Sequence, residues 1–365
     1  MDVLGLAWRT ALVAPLLLGL SGCGLLASGG LLENNKAVGS CQTYELEGGP
    51  EDIAADPKGE YYFISATDWR GLRRSPQAKG VIYKAWFEGE TLRLAAATGR
   101  MPANFHPHGI DLWVSPDGRT RRLFAISRPG GGQSPRVEVF EVDDKGALNH
   151  LPEETSPDLL SPNDLAAIDA HTYYVTNDQV ATSDVGKLFE NVFGSRSSYV
   201  SLVENGKVRP VAKAAFGNGV AVAGDRVYVV ESALGVIRVY RRGADNGLTL
   251  LDSYKAGPGP DNLTLVGNEL WYGGHSNGLR FLAHALKETT GSPSRIEVLD
   301  VTADPRDRKA HRIVFRSPGG KKGDNAASGY ADAASVGVPV GKDRVMVGAI
   351  FQHQVRVCQR GDARP

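Results

Sequence analysis

Polar and apolar positions alternate along this chain in short runs, and the runs come in pairs. From Glu51 the sequence reads EDIAADPKGEYYFIS: two polar residues, an alternating apolar stretch, the turn DPKG, then a second and more apolar stretch. The same shape returns as HGIDLWVSPDGRTRRLFAIS from His108, NDLAAIDAHTYYVTN from Asn163, NGVAVAGDRVYVVES from Asn218, DNLTLVGNELWYGG from Asp261 and ASVGVPVGKDRVMVGA from Ala334. Period-two alternation bounded by Asp, Gly, Pro and Asn predicts a β-hairpin at each place. The starts at 51, 108, 163, 218, 261 and 334 are 57, 55, 55, 43 and 73 residues apart. That spacing is close to the roughly 40 to 50 residues of a four-stranded propeller blade. The predicted fold is all-β, a single six-bladed β-propeller over residues 41–360. The remaining strands are expected in stretches such as GVIYKAWFEG, RVEVFEVDD, YVSLVENGKVRPVAK, VIRVYRR, RIEVLDV and HRIVFRS. One short amphipathic helix interrupts them, because Val185, Leu188, Phe189, Val192 and Phe193 fall on one face. It is either a surface helix packed on a blade or a lid over one end of the propeller.

Composition narrows the partners. The 365 residues carry 41 Lys and Arg against 41 Asp and Glu. With no long basic block there is no electrostatic footprint for nucleic acid, and a small-molecule substrate is the expected partner. Residues 1–23 read as a targeting segment, with Arg9 before the apolar ALVAPLLLGL and then LSGC. Leu20 to Cys23 resembles the bacterial lipobox, in which Cys23 becomes the lipidated first residue; the alternative is a plain secretory signal with a chance cysteine. The apolar run is too short for a transmembrane helix. Gly24 behind the cysteine points to the outer membrane, so the expected location is the bacterial cell envelope, held to a membrane by the lipid. Residues 24–40 read as a flexible tether and 361–365 as a tail. In an oxidising compartment Cys41 and Cys358 then read as a disulfide joining the first and last strands; two free buried thiols are the alternative.

The polar pairs carry the chemistry. The innermost strand of each blade lines the central channel, so residues at equivalent starts form a ring at one mouth. The ring is Glu51 with Asp52, His108, Asn163 with Asp164, Asn218, and Asp261 with Asn262. Asn and Asp are ordinary turn formers before a strand, but five of six blades share the register. Hard oxygen donors without a matching set of Cys and His are a calcium ligand set rather than one for zinc or copper. Four carboxylates in one channel mouth repel one another unless a cation neutralises them.

These residues resemble the serum paraoxonases, calcium-dependent lactonases and arylesterases built on a six-bladed propeller. The resemblance runs from Cys41 to Cys358 and rests on PED at Pro50, HPHGI at His106, PND at Pro162, NG at Asn218, DN at Asp261 and GGHSNGL at Gly273. It implies two calcium ions. Glu51, Asn163, Asn218, Asp261 and Asn262 would hold the catalytic one; Asp52, Asp164 and the carbonyl of Ile110 would hold a structural one. It implies His108 as general base, a closing Cys41–Cys358 disulfide, and a helix at 185–193 over the active site. His275 would contact substrate or support the site, or else it merely finishes a turn.

One position departs from the family pattern. Where the family has a second histidine, in NHPD, this chain has SRPG with Arg128. Arginine cannot accept a proton and so cannot relay one. Either His108 acts alone or a ligand carboxylate, Glu51 or Asp261, activates the water, with Arg128 left to face substrate. The expected activity is calcium-dependent hydrolysis of lactones or aryl esters. A gluconolactonase-like lactonase with a single metal is the neighbouring enzyme reading, and a non-catalytic propeller stabilised by calcium is the reading from another class.

Overall fold

The computed structural model describes residues 40–75, 77–97, 101–180, 196–320 and 330–361. The segment expected to target the chain, with Cys23, nearly all of the expected tether, the helix expected at 185–193 and the end of the expected tail lie outside the described residues. Among the described residues no helix is long and apolar enough to cross a membrane.

Strands pair in chain order into six four-stranded antiparallel sheets. Blade 1 is Gly49–Ala55, Tyr62–Thr67, Gly80–Glu88 and Thr91–Ala96; blade 2 is Pro107–Val114, Arg121–Ser127, Arg136–Val142 and Leu148–His150. Blade 3 is Pro162–Ala167, Thr172–Asn177, Ser198–Glu204 and Lys207–Ala214; blade 4 is Gly217–Ala223, Arg226–Glu231, Val236–Arg242 and Leu248–Lys255. Blade 5 is Pro260–Val266, Glu269–His275, Ser294–Asp300 and His311–Ser317. Blade 6 takes Ala334–Val340, Arg344–Ala349 and Gln354–Gln359 from the end of the chain and Cys41–Glu45 from the beginning. All six hairpins expected from the alternation are therefore the inner pairs of the blades.

Closure of the ring is the step that chain order cannot make alone. Cys41–Glu45 pairs as the outermost strand on Gln354–Gln359, with Cys41 opposite Cys358. The two form a disulfide across 317 residues of chain. The six inner strands touch one another in sequence around the channel, and the last touches the first. Between blades the sheets bury their apolar faces. Ile53 and Ile64 of blade 1 meet Val336, Val338 and Met346 of blade 6, while Phe63 and Ile82 meet Leu123 and Phe140 of blade 2. Each such side chain contributes about 1.5 to 3 kcal/mol of transfer free energy, so the interblade layers hold the channel geometry fixed.

Among the described residues, two α-helices sit over one mouth of the channel. Helix α1, Trp69–Leu72, follows the second strand of blade 1 and is capped by the Asp68 carboxylate on Gly71 N. Helix α2, Gly278–Leu286, follows the second strand of blade 5 and is capped by Asn277 on Arg280 N. Arg70 and Arg73 of the α1 segment donate to the His284 and Ala285 carbonyls at the C-terminal end of α2. Cations at that end oppose the negative pole of the helix dipole, and the contact ties blade 1 to blade 5 above the channel.

Candidate metal centre and active site

Each inner hairpin carries one irregularity, and it falls at the same place. The register slips between Pro50 and Asp52, Pro107 and Ile110, Pro162 and Leu165, Gly217 and Val220, Pro260 and Leu263, and Ala334 and Val336. Strict alternation would send neighbouring side chains to opposite faces; a bulge re-aims them. The polar pairs are thus the bulges of the propeller, and Glu51 with Asp52, or Asn163 with Asp164, can act as a unit. Blades 2 and 4 have glycine as second member, and the space explains it. A Cβ on Gly109 would lie 2.6 Å from the Asn163 carbonyl oxygen, and one on Gly219 would lie 2.5 Å from Leu263 N.

The carboxylates of alternate blades reach across that space. Asp52 Oδ2 accepts from Ile110 N of blade 2 at 2.8 Å, and Asp164 Oδ2 accepts from Val220 N of blade 4 at 2.8 Å. Their Oδ1 atoms accept from Ile53 N and Leu165 N. The pair expected at the deeper ion therefore stitches neighbouring blades together, and Ile110 meets Asp52 through its amide. Both carboxyls are pushed well above the usual range, by burial first and then by Glu51 acting on Asp52 and Asp52 on Asp164.

At the upper level the oxygens are left without partners. Asn262 Nδ2 donates to the Glu51 carbonyl at 2.8 Å and to Glu51 Oε1 at 3.0 Å, and Asn163 Nδ2 lies 3.4 Å from Asp178 Oδ2. Asn163 Oδ1, Asn218 Oδ1, Asn262 Oδ1 and Glu51 Oε2 are all buried and accept no hydrogen bond among the described residues. Asp261, 6% exposed, completes the set, with its Oδ2 2.7 Å from His275 Nε2. Buried polar atoms are nearly always satisfied, so four orphaned oxygens from four blades could cradle a hard cation. Burial first, then the Asp261 charge, pushes Glu51 up to about 8, which states the same need in protonation terms. Among the described residues no three His, Cys, Asp or Glu side chains form a metal cluster; the cradle is two carboxylates and three amides.

His108 stands beside the cradle. Its Nδ1 lies 3.0 Å from Glu51 Oε2, close but not aligned as a hydrogen bond. Trp69 of α1 packs edge-on against the imidazole at 5.1 Å between centroids. Burial first, then the Arg128 charge, drives His108 down to about 3, so the ring is neutral at ordinary pH. Arg128 does occupy the neighbourhood expected of it. Its Nε donates to the Pro162 carbonyl and its Nη2 to Asp178 Oδ2, each at 2.8 Å. Burial alone would raise Asp178, but the charge and hydrogen bond of Arg128 outweigh it and hold the carboxyl below the usual range.

A cavity of about 260 Å³ opens directly above His108. Trp69, Leu72, Ile350 and Phe351 supply its apolar walls, and Arg73 and Arg128 its polar edges. A larger cleft of about 600 Å³ around Met101, Phe105 and His106 contains no member of the ring.

A family model for arylesterases matches residues 37–353. The chain belongs to the arylesterase family. Rat serum paraoxonase/arylesterase 1 is 28% identical over 323 residues, and the human protein of that name 25% identical over 328, each alignment covering 86% of both chains. A solved structure assigned as a gluconolactonase, 13% identical, superposes with a TM-score of 0.50 over 88% of this chain and 93% of that one, and it shares the fold.

In this arylesterase-family chain the structure brings the residues of the expected ring together. Glu51, His108, Asn163, Asn218, Asp261 and Asn262 gather at one mouth, with Asp52 and Asp164 bonded to the inner strands beside them. His275 reaches the site through Asp261, and its ring stacks on Phe281 of α2 at 4.1 Å. Sequence reading missed Asp178, Trp69, Phe351 and Ser335. Ser335 is the blade 6 member of the ring, and its hydroxyl donates to the Glu51 carbonyl at 2.7 Å. Asp178 was visible as the acid ending TND on blade 3, two residues after Thr176, whose hydroxyl accepts from Asp164 N.

Proposed function

We propose that this protein is a calcium-dependent hydrolase of lactones or aryl esters. The observation that carries this reading is the set of orphaned oxygens beside a neutral imidazole at the floor of an apolar cavity. Glu51, Asn163, Asn218, Asp261 and Asn262 would hold the ion, and Asp52 and Asp164 would support a second beneath it. Bound there, calcium supplies a Lewis acid for the carbonyl oxygen and for the oxyanion that develops on it.

The protein's own residues do the rest. His108 is kept neutral and so is able to accept a proton from the attacking water. His108 Nδ1 lies 3.0 Å from Glu51 Oε2, so the ionised Glu51 carboxylate would stabilise an imidazolium formed there. Trp69 fixes the ring plane, and Trp69, Leu72, Ile350 and Phe351 exclude bulk water and receive the apolar part of the substrate. His275 positions Asp261. No covalent nucleophile is needed: GHSNG at Gly274–Gly278 has the GxSxG spacing at a strand-to-helix turn, but the Ser276 hydroxyl accepts from Arg295 Nη1 at 3.2 Å, and His275 Nε2 is engaged by Asp261.

Asn218→Ala tests the reading. It removes one orphaned oxygen from the cradle, so turnover of phenyl acetate and of a γ-lactone is expected to be lost while the circular dichroism spectrum is retained. Undiminished turnover would remove the cradle from the mechanism.

A further inference from the structure

The cavity above His108 carries more positive charge than ester hydrolysis calls for. Its lining includes two arginines, Arg73 and Arg128, and no acid. A guanidinium cannot accept a proton, so Arg128 gives His108 no relay. Its place at the edge of the cavity points to another task.

The commitments of the guanidinium define that task. Arginine has five N–H donors. One on Nε goes to the Pro162 carbonyl and one on Nη2 goes to Asp178. The other three, including both on Nη1, meet no acceptor among the described residues, and a quarter of the side chain is exposed where it lines the cavity. Asp178 and Pro162 thus hold the fork in place from behind and leave donors facing the open space. Arg73 stands at the rim with one hydrogen bond, to the Ala285 carbonyl at 3.1 Å, and forms no ion pair among the described residues. A planar fork with spare donors beside apolar walls matches a carboxylate on a small ring.

Resting on the hydrolase reading, we propose that Arg128, with Arg73 at the rim, forms a carboxylate-binding subsite, so that the preferred substrates are lactones or aryl esters bearing a carboxylate on the part that enters this cavity. The ring packs between Trp69, Leu72, Ile350 and Phe351, and the carboxylate meets Arg128. A volume of about 260 Å³ limits this part to one ring with short substituents. Arg128 here is a specificity-determining residue that touches substrate; it takes no part in proton transfer.

The test compares phenyl acetate with 4-carboxyphenyl acetate, in calcium, for the wild type, Arg128→Gln and Arg73→Gln. The readout is the ratio of kcat/KM for the charged ester to that for the neutral one. This ratio is expected to fall at least about tenfold in Arg128→Gln, as for loss of a charge-assisted hydrogen bond. A smaller fall is expected in Arg73→Gln, and in the wild type the ratio is expected to decline as ionic strength rises. A ratio unchanged by both substitutions and by salt would overturn the subsite. If Arg128→Gln does not fold, Arg73→Gln and the salt dependence decide. Calorimetry with benzoate and benzyl alcohol separates the subsite from the chemistry. If neither ester is hydrolysed the hydrolase reading fails, yet benzoate binding that Arg128→Gln or Arg73→Gln weakens would sustain the subsite. If benzoate binds no better than benzyl alcohol, the subsite fails by itself.

Discussion

Asn262 of blade 5 holds Glu51 of blade 1 by both ends, its amide nitrogen donating to the Glu51 carbonyl at 2.8 Å and to Oε1 at 3.0 Å. One side chain therefore fixes where the Glu51 carboxylate points and leaves its own oxygen free toward the same space. Asn262→Ala removes an anchor and a ligand together. Calcium affinity measured by calorimetry is expected to fall about 10- to 100-fold, the usual scale for removing a metal's supporting partner. An affinity within about twofold of wild type would show that Glu51 needs no such hold.

The buried acids give a pH dependence with a definite sign. Folding raises Glu51 from 4.5 to about 8, and Asp52 and Asp164 move in the same direction. A carboxyl raised on folding binds protons more tightly in the folded state, so its contribution is complete below its unfolded value and is lost as pH climbs through the folded one. The melting temperature of the calcium-free protein is expected to decline from about pH 5 to about pH 9. Saturating calcium, which compensates the ionised carboxylates, is expected to flatten that decline. A calcium-free profile that rises over this range would contradict the burial argument.

His108 is the test of the base. His108→Gln keeps size and polarity but cannot take a proton at neutral pH. Loss of about 10²- to 10⁴-fold in kcat is the scale for a general base. Retention within about threefold would move the role to Glu51 or Asp261, the other groups at the same mouth.

Closure of the ring by Cys41 and Cys358 predicts a large stability effect. The bond spans 317 residues, and the chain-entropy model gives about 6 kcal/mol for so long a loop. The double variant Cys41→Ser, Cys358→Ser is expected to unfold at markedly lower denaturant than the oxidised wild type. Coincident curves would mean that the strand pairing of Cys41–Glu45 on Gln354–Gln359 suffices.

The inner hairpins were legible because each has one face on a blade core and a turn rich in Gly and Asp, so alternation and punctuation agree. The outer strands Thr91–Ala96 and Leu248–Lys255 are largely exposed and lack that contrast. Helix α2 begins at Gly278, three residues after the strand that ends at His275, so its Asn277 cap was read as part of a motif and not as a helix start. The bulges were not legible at all. A pair of polar residues before a strand looks like a turn, and only strand register shows that Glu51 and Asp52 share one irregular step. Arg128 shows the same division: its presence and its inability to relay a proton followed from sequence, whereas its hold on Pro162 and Asp178 required the fold.

The central claim is that calcium in this ring drives ester or lactone hydrolysis, and the most direct measurement is turnover before chelation, after chelation, and after calcium is restored. A protein beginning near Gly39, assayed with γ- and δ-lactones and phenyl acetate, is expected to lose activity on chelation and regain it with calcium. Turnover that survives complete calcium removal, or no turnover on any substrate while calcium still raises the melting temperature, would contradict the account.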